Sequence, residues 1–347
     1  MGKPLEFPKG LELIDCALGT NPLGMPECLK KFSMFTDGCN FCDYPTPEAE
    51  DLKKEISSVH DAWKISPEQI LLSGGSMGVL VTLARLLVSK ETLISGVSPQ
   101  FSDAVVQFLC NGAIYRPVCL EAPSYNIKTE SLLEALMEKP DVLYLDRPNN
   151  PTGQVLPLKD MEKLAIAAME SETWIILDEA YGDYMPDEES AAALDFPNII
   201  TCRSFSKGLG AAGLRVGYAI SRDVDLSKLF KKAQPPFILG TFDGFMSVSV
   251  LNDKDFLEET RSYVKEAKSR IVNVLKGSKD LIVADTDPRV PIFLVSQKHG
   301  DLSFRFASIG ISCEAGSGFF DLDNSSVRLR VPSPNQLDAF LERIKML

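Results

Sequence analysis

The chain has 347 residues, 45% hydrophobic and 24% charged, which is enough to bury a large core and too long for one comfortable core. Two domains are therefore expected. The net charge of −12 opposes binding to phosphate backbones and anionic lipid surfaces. Any anion must be gripped locally, by a few cations and backbone N–H groups.

At the N-terminus, MGKPLEFPKG lacks the apolar core of a signal peptide, and Glu6 stands where a myristoylation signal needs Ser or Thr. The apolar stretch from Leu71 to Val88 is interrupted by Gly74, Gly75 and Arg85, so it does not read as a membrane span. A cytoplasmic protein is expected, with its eight cysteines as reduced thiols. Cys39 and Cys42 form a CxxC, but Cys16 and Cys28 are singletons, so the second tight pair of a structural zinc site is missing and no metal is expected.

From about Gln69 onward, short β-rich runs alternate with helical patterns. Strands are expected at Ile70–Leu72, Leu93–Gly96, Ile114–Pro117, Val142–Leu145, Trp174–Leu177, Ile199–Cys202 and Arg215–Ile220. Helices are expected at Gly78–Val88, Ser102–Asn111, Thr129–Glu138 and Leu158–Met169. This alternation predicts an α/β domain, a mainly parallel sheet sandwiched by helices. After Gln234-Pro235-Pro236 the character changes. A long amphipathic helix from Asp255 to Lys276, short strands near Leu281–Val283, Ile292–Val295 and Val327–Val331, and a last helix after Pro334 predict a smaller α+β domain. The expected division is residues 1–35 as a segment packing with the small domain, 36–240 as the large domain and 241–347 as the small one.

Ligands of α/β sheets collect at the carboxyl ends of strands. Ser73-Gly74-Gly75-Ser76 follows the first strand and opens a helix, which suits either an anion site or ordinary capping. Asn149-Asn150-Pro151-Thr152-Gly153, Asp178-Glu179-Ala180-Tyr181 and Ser204-Phe205-Ser206-Lys207 follow three further strands, the last leading into Gly213-Leu214-Arg215-Val216-Gly217-Tyr218. Each alone could be turn chemistry. Three in this order at strand ends are poorly explained that way.

These motifs resemble the fold-type-I pyridoxal-phosphate aminotransferases of class I/II. Within them the chain is most similar to the branch of histidinol-phosphate aminotransferase and threonine-phosphate decarboxylase, from Thr20-Asn21-Pro22-Leu23-Gly24-Met25-Pro26 to Val327-Arg328-Leu329. The resemblance implies pyridoxal 5'-phosphate as cofactor, carried on Lys207 as a Schiff base. It implies Asp178 against the pyridine nitrogen, Asn150 and Tyr181 on the ring oxygen, and Phe101 on the ring face. Gly75, Ser76, Met77, Ser204, Ser206 and Arg215 would cradle the phosphate. Tyr44 would reach the phosphate of a partner subunit, making a homodimer with a shared site. Arg328 would grip the substrate α-carboxylate, with Gly19 and Asn21 in the N-terminal loop on the substrate side.

The pattern is broken in places. Both named relatives usually carry an arginine for the substrate phosphate on the strand that reads Gly310-Ile311-Ser312-Cys313-Glu314, where this chain has Glu314. Gly19 replaces a common asparagine, and Arg147 replaces an uncharged residue before the PNNPTG motif. Facing the substrate, Glu314 would disfavour a phosphate and favour a cationic side chain; exposed, it would do neither. An aminotransferase acting on a small amino acid and a 2-oxo acid is the first reading. A lyase, decarboxylase or cyclase for an amino acid with an amino or guanidino side chain is the second, and a non-catalytic cofactor-binding protein the third. The literal GxGxxG of Gly208 to Gly213 neither follows a strand directly nor opens a helix, against a dinucleotide site. His60 and His299 read as surface residues.

Overall fold

The computed structural model describes residues 6–31, 42 and 44–347; Cys39 and the expected boundary between residues 35 and 36 lie outside the described residues. In chain order the strands are β1 (Ile14–Asp15), β2 (Ile70–Ser73), β3 (Leu93–Ser98), β4 (Ile114–Cys119), β5 (Val142–Asp146), β6 (Trp174–Asp178) and β7 (Ile199–Ser204). Then follow β8 (Gly217–Ser221), β9 (Ile282–Val283), β10 (Ile292–Ser296), β11 (Ile311–Ser312), β12 (Glu314–Ala315) and β13 (Ser326–Arg330).

Seven strands form one sheet in the order β2-β8-β7-β6-β5-β3-β4, parallel throughout except for β8, which runs against both neighbours. Strands buried on both faces read as continuous apolar runs, and β5 (VLYLD) and β7 (IITCRS) are buried at every position. Helices Gly75–Leu87 and Ser102–Cys110 cover one face with Val79, Leu83, Val105 and Phe108. Helices Thr129–Leu136 and Leu158–Glu170 cover the other with Leu132, Leu136, Met161 and Leu164. In register, Asp146 faces Asp178 and Asp178 faces Cys202, so the carboxyl ends of β5, β6 and β7 lie side by side.

A second, antiparallel sheet has the order β12-β13-β10-β9. The helix Lys254–Lys276 packs against it through Ala267, Ile271 and Leu275, spaced for one helical face. Asp253 caps this helix, accepting from the Phe256 N–H at 3.3 Å. Lys268, fully buried on it, donates to Thr286 Oγ1 and to the carbonyls of Asp287, Val290 and Ile292 at 2.6–2.9 Å. The Asp287 N–H reaches the Gly153 carbonyl at 3.0 Å, which ties this region to the turn after β5. The N-terminal segment joins the small sheet's side of the molecule, since β1 pairs in parallel with β11 and Cys16 O accepts from Arg330 N.

Two expected elements differ. The strand expected from Arg215 starts at Gly217, because Arg215 takes a left-handed φ of +55° after a 3-10 turn at Ala212–Leu214. The run from Gly310 to Glu314 is split at Cys313, with β11 bound to β1 and β12 to β13. His60 is not on the surface: it is buried, stacked on Trp63 at 3.8 Å, with Nδ1 2.8 Å from Asp187 Oδ2. His299 is exposed. Among the described residues no helix is long and apolar enough to cross a membrane.

Candidate active site

At the carboxyl ends of β5, β6 and β7 lies a cavity of about 210 Å³. It brings together Asn150, Asp178, Tyr181, Ser204, Ser206 and Lys207 from the three motif-bearing strand ends. Ser76, Met77 and Phe101 enter from β2 and β3, Arg215 from the turn before β8, and Arg328 from β13. Asp146, Pro148, Ala180 and Ala212 complete the lining, and of these Asp146 bears the most chemistry.

One end is built for an anion. Gly75–Leu87 starts at the cavity, and its first N–H groups have no partner within the helix. Gly75 has φ +77°, and a Cβ there would sit 2.7 Å from Arg215 Nη2, so only glycine lets the guanidinium approach this helix end. Arg215 Nη1 donates to Ser206 Oγ at 3.3 Å, and Ser204 Oγ donates to Ser206 Oγ at 3.0 Å. A guanidinium, two hydroxyls and a helix N-terminus make a local positive site on an acidic protein.

The other end is acidic. Burial pushes the Asp178 carboxyl up to about 6, although the Ala180 N–H at 2.9 Å and Lys207 both favour its charged form. Burial likewise pushes Asp146 up to about 7; the Asn150 N–H opposes this and Asp178 adds to it. A cation placed among these carboxylates would relieve both. Lys207 Nζ lies 5.2 Å from the Tyr181 ring centroid, and the buried Tyr181 hydroxyl has no hydrogen-bond partner among the described residues.

Behind this row lies a second row of charges. Arg147, Glu179 and Arg203 each adjoin a cavity residue on the same strand end and point to the opposite face, as strand alternation requires. Arg147 Nη1 donates to Glu179 Oε1 at 2.9 Å, Arg203 Nη1 to Glu179 Oε2 at 3.1 Å, and Arg203 Nη2 to Asp183 Oδ1 at 2.8 Å, all buried. Sequence reasoning marked Arg147 as a break in the pattern but missed its buried partners Glu179 and Arg203, and missed Asp146. The alternating charged pairs at the ends of apolar runs were the available signal.

Arg328 enters over Asn150, donating to Asn150 Oδ1 at 3.1 Å and to the Ala17 carbonyl. Its Nε is buried and has no partner among the described residues. Glu314 faces Arg328 across the β12–β13 pair, with Oε2 3.8 Å from Nη2; its side chain is 46% exposed and lies outside the cavity lining. Gly19 sits against the site, because a Cβ there would collide with the Tyr181 hydroxyl and lie 3.1 Å from Lys207 Nζ. Asn21 does not line the cavity. Its amide donates to Gly208 O at 2.7 Å and Thr260 Oγ1 at 3.2 Å, so it anchors the loop instead. Tyr44 is also outside the lining, 82% exposed and stacked on Phe237 at 4.7 Å.

A family model, aminotransferase class I and II, matches residues 12–344. Histidinol-phosphate aminotransferase 1 of Mannheimia succiniciproducens is 30% identical over 266 residues, 74% of this chain and 70% of the relative. The structure of histidinol-phosphate aminotransferase from Sinorhizobium meliloti in complex with pyridoxal-5'-phosphate superposes with a TM-score of 0.83 at 22% identity, covering 96% of this chain and 90% of that one. That of L-threonine-O-3-phosphate decarboxylase from Porphyromonas gingivalis gives 0.78 at 18% identity, covering 95% and 100%.

Proposed function

Because this chain belongs to the class I and II aminotransferase family, whose chemistry depends on pyridoxal phosphate, we propose that it moves the amino group of a small amino acid to a 2-oxo acid, with Lys207 carrying the cofactor. The observation that carries this reading is the meeting of Lys207, Asp178 and Arg328 in one cavity with an anion cradle at its other end.

The donor set fits the cofactor. Its phosphate matches Ser204, Ser206, Arg215 and the helix start at Gly75, Ser76 and Met77. Its ring nitrogen, once protonated, is the cation that the buried Asp178 lacks, and its ring oxygen would satisfy the orphaned Tyr181 hydroxyl. Asn150 Oδ1 is taken by Arg328, which leaves Asn150 Nδ2 to donate to the same oxygen. Phe101 would cover one ring face. The bound cofactor supplies a conjugated, electron-withdrawing ring that stabilises negative charge at the substrate Cα.

This chain's residues do the rest. Arg328 holds the α-carboxylate and so orients Cα. The Lys207 amine takes the proton from the substrate Cα and carries it away from that carbon, since returning it there would only regenerate the amino acid. Asp178 keeps the ring nitrogen protonated, and Gly19, with no side chain, leaves the Lys207 amine uncovered. Tyr44 would serve the partner's site in a homodimer. On this reading residues 36–240 supply the cofactor's surroundings and 241–347 the carboxylate arginine.

The relatives are named for phosphorylated substrates. Glu314 stands beside Arg328 but outside the cavity lining, so it would bear on the substrate only where a side chain extends past Arg328 toward it; there its carboxylate would oppose a second anion and suit an amino or guanidino group. The test is an amino-acid panel with and without 2-oxoglutarate. Turnover that needs the keto acid supports transamination. Turnover without it favours the lyase or cyclase reading, and no spectral change with any substrate removes the enzyme assignment.

A further inference from the structure

Asp146 is buried, lines the cavity, and stands in register with Asp178 on the adjacent parallel strand. Its Oδ2 accepts from the Phe101 N–H at 3.1 Å and the Asn150 N–H at 2.6 Å, and its Oδ1 from Asn149 Nδ2 at 3.0 Å. Phe101 opens the helix after β3, and Asn150 lies in the turn after β5. A single carboxylate therefore joins two loops between which, among the described residues, no backbone hydrogen bond runs. Every partner is a donor, so a protonated carboxyl would bring a hydrogen with no acceptor to meet it. Asn149 extends the joint: its Nδ2 also reaches the Pro99 carbonyl at 3.2 Å, and its Oδ1 accepts from Thr152 Oγ1 at 2.6 Å.

We propose that Asp146 is a positioning residue of the cofactor site, holding Phe101 on the ring face and Asn150 on the ring-oxygen side at a fixed separation and so setting the plane of the ring. This rests on the pyridoxal-phosphate reading above. The residue touches no reacting atom; it acts through the two it holds.

Asp146→Asn keeps the volume but turns an N–H toward one of three donors. The experiment adds pyridoxal phosphate to cofactor-free native and variant proteins, reading the dissociation constant and the visible-region circular dichroism of the bound cofactor, which reports its orientation. Read well above pH 7, where Asp146 is charged, the variant should bind at least about tenfold more weakly, as losing a charge-assisted contact implies, and its dichroic band should shrink or change sign. Arg147→Gln, on the opposite face of the same strand end, should lower stability and leave the band unchanged. Should Asp146→Asn not fold, Asp146→Ser keeps one acceptor and is read in the same way. A native protein that takes up no cofactor sinks the functional reading itself. A native protein that takes it up, with a variant matching it in affinity and dichroism, overturns the positioning role.

Discussion

The Arg147 guanidinium meets Glu179 Oε1 at 2.9 Å with both side chains almost wholly buried, one residue behind the strand-end positions that carry Asp146 and Asp178. Arg147 Nε also donates to the Leu156 carbonyl at 2.6 Å. Removing one partner of a buried pair leaves an uncompensated charge and costs roughly 3–5 kcal/mol. Glu179 would keep Arg203, Ser190 Oγ and the Ala191 N–H, which places Arg147→Met near the lower end of that range. Urea unfolding followed by tryptophan fluorescence should show the fall, and an unchanged midpoint would contradict it.

Lys207→Ala should abolish the coloured linkage that native protein forms with added pyridoxal phosphate. Borohydride reduction of the native protein followed by peptide mapping should place the cofactor on Lys207. Colour that persists in the variant, or an adduct on another lysine, would reject the assignment.

Asp178 links stability to pH with a definite sign. Its folded value of about 6 lies above the ordinary aspartate value of 3.8, so between these values the folded state holds a proton that the unfolded state has released. Stability from this group is full below about pH 4 and is lost as pH rises through about 6. A shift of this size corresponds to a penalty on the order of 3 kcal/mol at neutral pH. Asp178→Asn, whose oxygen can still accept from the Ala180 N–H, removes that penalty. Cofactor-free Asp178→Asn should therefore be more stable than native protein above pH 6, with the gap closing toward pH 4, while turnover collapses. A gap that does not vary with pH would show that folding does not raise this carboxyl.

The strands that carry the site were readable because β5 to β7 each open on an apolar run before their polar ends, and their motifs carry the family resemblance. The Arg147–Glu179 pair was not, because it is set by strand parity and by register between segments some thirty residues apart, nor was Asp146, whose tie to the Phe101 N–H depends on the packing of two separate loops. The sequence leaves Glu314 either facing the substrate or exposed. It stands opposite Arg328 because the run from Gly310 breaks at Cys313, and no local pattern announces that break. His60 misled because its burial depends on Asp187, far along the chain. Thr241–Leu251 went unrecognised as a helix because its apolar residues do not fall on one side.

Tyr44 is 82% exposed and outside the cavity of its own chain, as a residue serving a partner's site would be. Mixing inactive Tyr44→Ala and Lys207→Ala proteins tests this directly. If Tyr44 acts across subunits, a mixed dimer has one site with native Tyr44 and native Lys207 and regains activity there. If it acts within its own chain, both sites stay defective. A fully active monomer in sedimentation would also rule out the shared site.

Glu314 and Arg328 make separable claims about the substrate. Every amino acid carries the carboxylate that Arg328 would hold, so Arg328→Ala should weaken all substrates alike, by roughly 1.5–3 kcal/mol for a lost charge-assisted contact. Beyond whatever it does through Arg328, which is common to all substrates, Glu314 should discriminate between side chains. It is half exposed, so water screens it, and its attraction for a cationic group is worth about 1 kcal/mol. Glu314→Gln should then lower kcat/KM for amino or guanidino side chains by about fivefold relative to neutral ones. Glu314→Arg goes further, putting two guanidinium groups opposite each other across β12 and β13, where a second anion on the substrate would relieve their repulsion. Histidinol phosphate should be a poor substrate for the native enzyme and a better one for this variant. Efficient turnover of histidinol phosphate by the native enzyme, or no change in selectivity with Glu314→Arg, would mean that the carboxylate is merely solvated and that another residue sets the specificity.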